Sequence, residues 1–306
     1  MPMDLKLLRY FVALAEEAHF GRAAERLHIT QSPLSYGIQE LEAELGVRLF
    51  ERTTRSTVLT AAGKVVLEDA RRALAAAQQV YAAAASVAQG YHGYLRIAIA
   101  DSLAQPRLSE LLALCREEEP EVELRIAMTP VAQLLKGLQD ETIDAGFTLF
   151  HEEVKGHVAD PVWEDRLAVA MPARHQLLIH KNVPMADALQ YPLIVCHPES
   201  CQGGYSYIEA VFAAAKAQPI VVEHVPGHES MLMLIGAGLG IGFAIDSQIA
   251  QFQRPDVAVR PMEAALPPLT TYLLHSAKPS PQLERFIERA HRVGGASMSE
   301  GDERKN

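Results

Sequence analysis

The sequence has few cysteines, fewer basic than acidic residues, and no long apolar run. Its 306 residues include only Cys115, Cys196 and Cys201, too few and too scattered for a disulfide scaffold. No stretch supplies the ~18 uncharged apolar residues of a membrane span, and Lys6 and Arg9 interrupt the apolar segment near the N-terminus, which also argues against a secretory signal. We therefore expect a cytoplasmic protein with no membrane partner.

Basic residues are scarce relative to acidic ones. The 28 Lys and Arg against 38 Asp and Glu give a net charge of −10, which by itself argues against nucleic acid as a partner. The charge is uneven, however, because residues 1–90 hold 10 basic and 10 acidic residues and residues 91–306 hold 18 and 28. The balance therefore excludes only a broadly basic nucleic-acid binder, and it predicts weak non-specific DNA binding.

Common catalytic motifs are also missing. The sequence contains no G-x-S-x-G, no H-E-x-x-H and no P-loop. The glycine run at positions 236, 238, 240 and 242 follows a predicted helix and leads into a strand, which is the wrong order for a dinucleotide fingerprint. We expect no catalytic activity, no metal and no cofactor.

The chain divides by composition near residue 90. Before it, apolar residues recur every three or four positions, which predicts helices, and residues 47–59 predict a short two-stranded hairpin. Residues 61–89 predict one long alanine-rich helix. In residues 91–306, apolar strand-type runs alternate with helical segments, which predicts two α/β lobes built on mostly parallel sheets, with a cleft between them.

Residues 22–42 have the pattern of a helix-turn-helix. A short helix with two adjacent alanines is followed by a tight turn, and a second helix begins at Gln31 behind the N-cap residue Thr30. Pro33 is tolerated in the first turn because its missing N–H loses nothing there. Gly46 ends the helix, as glycine commonly does just past a helix C-terminus.

The start of the second helix carries side chains suited to base edges, since Gln pairs bidentately with adenine and Ser hydrogen-bonds to several bases. First-turn N–H groups can bind a phosphate, and arginines on the hairpin suit adjacent phosphates or the minor groove. The alternative is a helical hairpin of another domain whose polar side chains are merely solvated. The ordered combination favours double-stranded DNA as partner, contacted by Thr30, Gln31, Ser32, Pro33, Ser35, Tyr36, Gln39, Arg52 and Arg55.

The long helix has a repeating apolar seam. Its seam residues alternate at spacings of three and four, which is typical of helices that pair with a second helix. Packing of the helix on its own domain is the alternative. Its length and its position between two domains favour a dimer seam formed by Leu67, Ala70, Leu74, Ala77, Tyr81 and Ala84.

Residues 7–63 carry several motifs in order. They include FVALAE at 11–16, RAAERLH at 22–28, TQSPLS at 30–35, LGVRLF at 45–50 and LTAAG at 59–63. This run resembles the winged helix-turn-helix of LysR-type transcriptional regulators. The total length, the linker helix and the two-lobed C-terminal part resemble the same family, so that the resemblance covers the whole chain.

The resemblance implies a domain organisation and a set of partners. It implies a winged helix-turn-helix at 1–60, a linker and dimerisation helix at 61–90, and a periplasmic-binding-protein-like α/β effector domain at 91–306. Lobe I is then expected at about 91–163 and 267–293, lobe II at about 164–266, and a disordered tail at 294–306. It further implies a dimer of dimers on an interrupted palindromic operator, contact with RNA polymerase, and a small-molecule effector bound between the lobes.

Candidate effector-binding residues lie where predicted strands end, because ligands of α/β sheets bind at the carboxyl ends of strands. Hydroxyl groups beside exposed helix N-termini favour a carboxylate-bearing effector. Ser102, Thr129 and the 197–202 loop also match positions that line the effector site in the LysR family. The predicted effector-binding residues are Ser102, Thr129, Thr148, His197, Cys201 and Gln202.

Three alternative functions compete with this interpretation. A solute-binding protein with an appended helical domain would explain the two lobes but would need an export signal. An enzyme built on the α/β half would need a catalytic motif. A regulator that senses oxidants through Cys196 and Cys201 is the third, although pocket-lining or core thiols explain the same pair.

Two residues of the predicted recognition helix depart from the family pattern. Position 36, often basic or an amide in the family, is Tyr36, which could contact a thymine methyl group or a phosphate. Gly37 costs roughly 0.5–1 kcal/mol inside a helix. Either it lets the helix approach the groove more closely or it packs against the first helix.

Overall fold

The computed structural model describes residues 4–52, 57–88, 91–101, 103, 106–150, 156–216, 218–249, 254–263 and 266–303. They form two compact units, one of Met1–Gln89 with Asp140–Thr142, the other of Gly90–Gln139 with Ile143–Asn306. Within the described residues, no helix is both long and apolar enough to cross a membrane.

The N-terminal unit contains a three-helix cluster, a hairpin and a long helix. Its elements are α1 (Leu5–Glu17), α2 (Phe20–Arg26), α3 (Gln31–Leu45), the antiparallel strands β1 (Phe50–Arg52) and β2 (Thr57–Leu59), and α4 (Ala61–Ala88). Helix α2 begins two residues earlier than expected, because the His19 imidazole Nδ1 accepts the N–H of Gly21 at 3.0 Å and caps it. Helix α3 ends at Gly46 with φ +68°, as predicted.

The apolar faces of α1, α2 and α3 form the core of this unit. Phe11, Leu14, Leu34, Ile38 and Leu41 are fully buried, each at the helical spacing that the sequence shows. Burial of a side chain of this size contributes about 1.5–3 kcal/mol relative to leaving it exposed. The core therefore holds α3 rigidly while its opposite face stays free.

The first half of α4 belongs to the same core, which corrects part of the predicted dimer seam. Leu67 and Ala70 are buried among the residues of α1 and α3, and Leu74 packs against that cluster. These three seam positions are used within the unit, as the alternative interpretation proposed. The apolar spacing could not separate the two because a helix packed on its own domain and a paired helix share the same period.

Lobe I of the C-terminal unit is a five-stranded mixed sheet in the order β4-β3-β5-β12-β6. Strands β3, β4 and β5 are parallel, and β12 runs antiparallel to both of its neighbours. Buried residues that include Leu111, Phe147, Trp163 and Phe286 form its core. Its elements are β3 (Gly93–Ile99), α5 (Pro106–Glu118), β4 (Val122–Met128), α6 (Val131–Gln139), β5 (Ala145–Thr148), β6 (His157–Asp165), β12 (Leu269–Ser276) and α11 (Pro281–Glu303).

Lobe II contains an antiparallel sheet, β10-β7-β11, and a parallel pair, β8-β9. A single parallel bridge between Leu193 and Ile241 connects the two groups of strands. Its elements are β7 (Leu167–Pro172), a 3₁₀ turn (Gln176–Ile179), α7 (Met185–Ala188), β8 (Leu193–Cys196), α8 (Gln202–Ala214), β9 (Val221–Val225), α9 (His228–Gly236), β10 (Gly242–Ile245), α10 (Asp246–Ile249) and β11 (Val257–Pro261). Both lobes are more antiparallel than the sequence pattern predicted.

Strands β6 and β11 account for much of that difference, since neither was predicted. Both lie at the edge of their sheets, β11 half-buried along its whole length and β6 buried only in part, so neither carries a long apolar run. Strand β6 also contains Pro161, and its pairing with β12 shifts register between Thr271 and Tyr272. Proline and a register shift are both typical of edge strands, and both obscure the strand pattern in a sequence.

Helix α11 packs on α5 and closes lobe I. Glu119 at the end of α5 accepts hydrogen bonds from Arg285 and Arg289, and Glu118 pairs with Arg289 at 2.9 Å and with Arg292 at 2.7 Å. Arginine lowers the pKa of both glutamates through these hydrogen bonds. The helix continues to Glu303, so residues 294–303 are helical and not the disordered tail that the sequence predicted. Residues 304–306 lie outside the described residues.

Candidate DNA-binding surface and effector cleft

The N-terminal end of α3 presents polar side chains on the face away from the core. Thr30 occupies the N-cap position without a capping hydrogen bond from its side chain, and Gln31, Ser32 and Pro33 are exposed in the first turn. First-turn N–H groups that no side chain caps are the groups that bind a phosphate at a helix N-terminus. The predicted start of a recognition helix is therefore present and accessible.

The next turns of α3 extend the same face. Tyr36 is 70% exposed and Gln39 is exposed, while Ser35 is half-buried. The opposite face, with Leu34 and Ile38, is buried in the core. This division fits a helix that is anchored along one side and offers the other to a partner.

Gly37 lies at the closest approach of α3 to α1. A Cβ atom added to Gly37 would lie 2.7 Å from Cδ2 of Tyr10 and 3.2 Å from Cδ2 of Leu7. Of the two explanations offered for this glycine, packing against the first helix is the one that the geometry supports. The glycine faces the core, so the exposed face of α3 does not depend on it.

The hairpin is fastened to the recognition helix by a glutamate. Oε1 of Glu42 on α3 accepts the backbone N–H of Leu49 at 2.8 Å and that of Phe50 at 3.1 Å. Arg52 ends strand β1, where it pairs in register with Thr57. Arg55, predicted to contact DNA, lies outside the described residues, as does the whole hairpin tip. Glu42 is not among the residues that the sequence pattern singles out.

Several arginines of the N-terminal unit are paired with acids of α1. Arg26 lies 2.8 Å from Glu16 and 3.3 Å from Glu17, and Arg71 of α4 also reaches Glu16, at 3.0 Å. The hydrogen bond to Glu16 raises the pKa of Arg26. Exposed pairs of this kind contribute little to stability. They do reduce the unpaired positive charge near α2.

Beyond the buried Ala75, the second half of α4 has several exposed apolar residues. Tyr81 is 78% exposed, and Val80 and Val87 are largely exposed as well. Ala84 is exposed and Ala77 is half-buried. Large apolar side chains clustered on one helix and open to solvent indicate an unoccupied contact surface.

A cleft opens in the C-terminal unit beside the start of α8. It draws residues from both lobes and is lined mainly by apolar groups, with a few polar ones among them. This combination is typical of a site for a small organic molecule. The lining residues are Leu149, Leu167, Val195, Cys196, Cys201, Gly204, Tyr205, Ile208, His228, Phe243, Ala244, Ile245 and Leu269.

The predicted effector residues are only partly brought together. Cys201 lines the cleft. Thr148 is fully buried, and its hydroxyl donates to the carboxylate of Asp101 at 2.6 Å. His197 is exposed, with its Nδ1 accepting the N–H of Glu199 at 3.2 Å.

The other three predicted effector-binding positions are Gln202, Ser102 and Thr129. Gln202 is half-buried as the first residue of α8. Ser102 lies outside the described residues. Within the described part of the chain, the hydroxyl of Thr129 is buried and accepts or donates no hydrogen bond. Of the five predicted effector-binding residues that the structure describes, only Cys201 lies in the lining of this cleft.

Two polar residues of the cleft were missed from the sequence. Tyr205 lies one turn into α8, and His228 begins α9 directly after strand β9. His228 lies shortly after the carboxyl end of strand β9, which is where ligands of α/β sheets bind. Burial lowers the pKa of His228 to about 4, so the imidazole is neutral at pH 7.

The two cysteines of lobe II also lie in the cleft. Cys196 ends β8 and Cys201 occupies the N-cap position of α8, and both are free and buried. A hydrogen bond between the thiols lowers the pKa of Cys196, while the same hydrogen bond and burial raise the pKa of Cys201 well above its ordinary value. Within the described residues, no group of three or more His, Cys, Asp and Glu side chains is arranged to hold a metal ion.

These features define a class of protein, a helix-turn-helix DNA-binding unit joined to a two-lobed α/β unit with an internal cleft. Residues 5–64 match the family model "Bacterial regulatory helix-turn-helix protein, lysR family", and residues 88–294 match "LysR substrate binding domain". The chain belongs to the LysR family of transcriptional regulators. It is a transcriptional regulator with a DNA-binding and an effector-binding domain and not an enzyme, which confirms the predicted family and fold class.

Relatives and solved structures agree with this assignment. The chain is 34% identical to the regulator XapR of Escherichia coli K12 over 265 residues, 86% of this chain and 89% of XapR. It is 37% identical over 177 residues, 58% of this chain and 94% of the relative, to a probable hydrogen peroxide-inducible genes activator of Mycobacterium xenopi. Full-length CbnR in complex with its target DNA matches with a TM-score of 0.69 and 28% identity, covering 95% of this chain and 100% of CbnR.

Proposed function

We propose that this regulator reads its operator with the exposed N-terminal face of α3 and responds to a small molecule bound in the cleft of the C-terminal unit. The proposed DNA contact rests on the contrast between the two faces of α3, since Leu34 and Ile38 are fully buried and Tyr36 is 70% exposed. A helix anchored in this way can enter the major groove without losing its packing.

The proposed contacts divide by their chemistry. Gln31, Ser35, Tyr36 and Gln39 face base edges, and Thr30, Ser32 and Pro33 frame the first-turn N–H groups that bind a phosphate. Arg52 and Arg55 of the hairpin bind phosphates beside the major-groove contact. The proposal is supported by the exposure of the first-turn residues and by the Glu42 hydrogen bonds, which hold the hairpin against α3.

We propose that α4 pairs with α4 of a second copy through its exposed second half. Tyr81, Ala84 and Ala77 are the predicted seam residues that the core of the unit leaves available, and Val80 and Val87 add apolar surface beside them. Twofold pairing would place two recognition helices on the half-sites of an interrupted palindrome. Association of effector domains would then give a dimer of dimers, whose arrangement on DNA controls contact with RNA polymerase.

The cleft is the proposed sensor. A ligand that touches Leu149 of lobe I and Tyr205 of lobe II would favour one relative position of the lobes. A change in lobe closure would alter the arrangement of the dimer and, through it, the bending of the operator. Comparing DNase footprints with and without an effector found by thermal-shift screening tests this step, because identical footprints would contradict it.

Base specificity tests the proposed DNA contacts. We would select operators from a randomised duplex library with the full chain and measure binding to single-base variants by fluorescence anisotropy. Gln31→Ala should relax discrimination at one base pair of each half-site by about 1–3 kcal/mol, with little change elsewhere. Arg52→Ala should weaken binding to all duplexes alike and reduce the salt slope by about 1.

A matched control separates a local contact from loss of positive charge. Arg72→Ala removes the same charge from an exposed position on α4, where Arg72 pairs with Asp69, and should leave affinity nearly unchanged. A loss of affinity confined to one sequence in Arg52→Ala would show that the hairpin reads bases. Unchanged base discrimination in Gln31→Ala would contradict the assigned role of α3.

A second candidate function is favoured by the thiol pair of lobe II. Cys196 and Cys201 both lie in the wall of the cleft, and the lowered pKa of Cys196 favours its thiolate, the form that attacks peroxides. Cys201 would be the resolving thiol. The candidate depends on whether hydrogen peroxide joins Cys196 to Cys201 in the native chain.

A further inference from the structure

We propose that Asp101 is a built-in carboxylate that joins the two lobes and occupies the N-terminus of α8, so that the cleft takes a neutral or cationic effector instead of a carboxylate. The inference rests on the proposed effector site and names the chemical class of ligand for it. It replaces the carboxylate effector that the sequence led us to expect.

Asp101 is held in an uncommon conformation. It follows strand β3 of lobe I, it is only 1% exposed, and its φ of +56° lies in the left-handed region, which aspartate enters more readily than most residues with a side chain. A residue that is both buried and left-handed persists only where its surroundings hold it firmly.

Both carboxylate oxygens of Asp101 accept hydrogen bonds. Oδ2 accepts from the hydroxyl of Thr148 at 2.6 Å and from the N–H of Leu149 at 2.8 Å, both in lobe I. Oδ1 accepts the N–H of Gly203 at 2.7 Å, in the first turn of α8 in lobe II. The thiol of Cys201 donates to the Asp101 carbonyl oxygen at 3.3 Å. Asp101 therefore links the lobes through its side chain and its backbone.

Gly203 forms the other half of this contact. A Cβ atom added to Gly203 would lie 2.5 Å from the backbone nitrogen of Phe150 and 2.8 Å from Oδ2 of Asp101. A glycine at this position lets the backbone of α8 approach the carboxylate closely. The start of α8 is thus built to receive a carboxylate, and the chain supplies that carboxylate from its own lobe I.

The negative charge of Asp101 indicates the chemical class of the ligand. The groups that donate to the Asp101 carboxylate are one hydroxyl and two backbone amides, which are neutral, and the dipole of α8 adds only partial positive charge. Asp101 and Gly203 lie just behind the wall of the cleft, next to the lining residues Leu149, Cys201 and Gly204. A carboxylate effector at this end of the cleft would lie near a second negative charge among apolar groups. A neutral hydrogen-bond donor or a cation gains from the same charge.

Chemical rescue tests the built-in carboxylate. Asp101→Ala leaves three buried donors without an acceptor, and we expect the melting temperature of the full chain to fall by roughly 5–10 °C. Millimolar sodium acetate should restore part of this loss, compared with sodium chloride at equal ionic strength, and should not affect the wild-type chain. Asp256→Ala, which removes a half-buried carboxylate paired with Arg254, is the control and should not respond to acetate.

A second variant tests the ligand class and remains informative if Asp101→Ala does not fold. We expect the wild-type chain to bind benzamidine, a cation, at least about tenfold more tightly than benzoate, and Asp101→Asn to lose this preference. Tighter binding of benzoate by the wild-type chain, or an equal acetate response of the wild-type chain and Asp101→Ala, would overturn the proposal. Anisotropy with a selected duplex in the same preparations reports the DNA-binding function separately, since its failure would leave these comparisons intact.

Discussion

Replacing Gly37 with alanine should destabilise the N-terminal unit, although alanine is the better helix former. The new Cβ atom would lie 2.7 Å from Cδ2 of Tyr10 and 3.2 Å from Cδ2 of Leu7. Carbon atoms in ordinary contact lie about 3.5–4.0 Å apart. Helix α3 would therefore have to move away from α1, or the Tyr10 ring would have to leave its position.

The magnitude is set by two opposing effects. Alanine gains about 1 kcal/mol over glycine inside a helix. Overpacking a close contact costs about 1–3 kcal/mol, and the upper part of this range applies because Tyr10 and Leu7 are both buried, at 8% and 5% exposure, and cannot turn into solvent. We expect a net loss of about 1–2 kcal/mol in the free energy of unfolding.

Urea unfolding followed by far-ultraviolet circular dichroism measures the loss, and hydrogen exchange of peptides from α1 and α3 locates it. Fluorescence of the single tryptophan, Trp163, reports the other unit and should be unchanged. Gly295→Ala is the matched control, because Gly295 lies within α11 and no atom lies within 4 Å of an added Cβ. It should gain at most about 1 kcal/mol.

A double-mutant cycle decides whether the Tyr10 contact is the cause. In a Tyr10→Leu background the shorter side chain leaves room for the methyl group, so Gly37→Ala should cost less there than in the wild-type chain. If Gly37→Ala stabilises the chain as much as Gly295→Ala does, the reasoning is wrong. The same holds if its cost is unchanged when Tyr10 is shortened.

Two further predictions concern the C-terminal unit. The pKa of His228 is about 4 in the folded chain against 6.5 ordinarily, so the unfolded chain takes up the proton first and stability falls by about 3 kcal/mol as the pH drops from 6.5 towards 4. His228→Gln should remove this part of the acid sensitivity in urea titrations followed by Trp163 fluorescence, and an unchanged pH slope would count against it. If the peroxide candidate is right, stoichiometric hydrogen peroxide oxidises the thiols of Cys196 and Cys201 to a disulfide and is itself reduced to water, while Cys115, buried in the core of lobe I, stays reduced. Three reduced thiols by mass spectrometry, together with unchanged DNA affinity, would refute that candidate.

The helix-turn-helix could be predicted from the sequence because its determinants are local. The capping position of Thr30, the proline in the first turn and the glycine after Leu45 define the ends of α3 within a few residues of chain. The apolar spacing of Leu34, Ile38 and Leu41 defines its buried face. The opposite face of α3 is then the polar one.

Strand pairing was harder to predict than helices. Edge strands need only one buried side, and Pro161 and the register shift in β12 conceal β6 from any alternation rule. The direction of a strand is set by its partners, which lie far along the chain, so the mixed order of both sheets required the structure.

The sequence by itself determined the family and the limits of α3, because both depend on residues that are close in the chain. Tertiary structure alone decided how those residues are used. Gly37 leaves room for the Tyr10 ring, and the first half of α4 packs into the core of its own unit. The Thr148 hydroxyl donates to Asp101 instead of facing a ligand. Asp101 meets Gly203 only because the lobes fold together, and no local pattern encodes a hydrogen bond between residues that far apart.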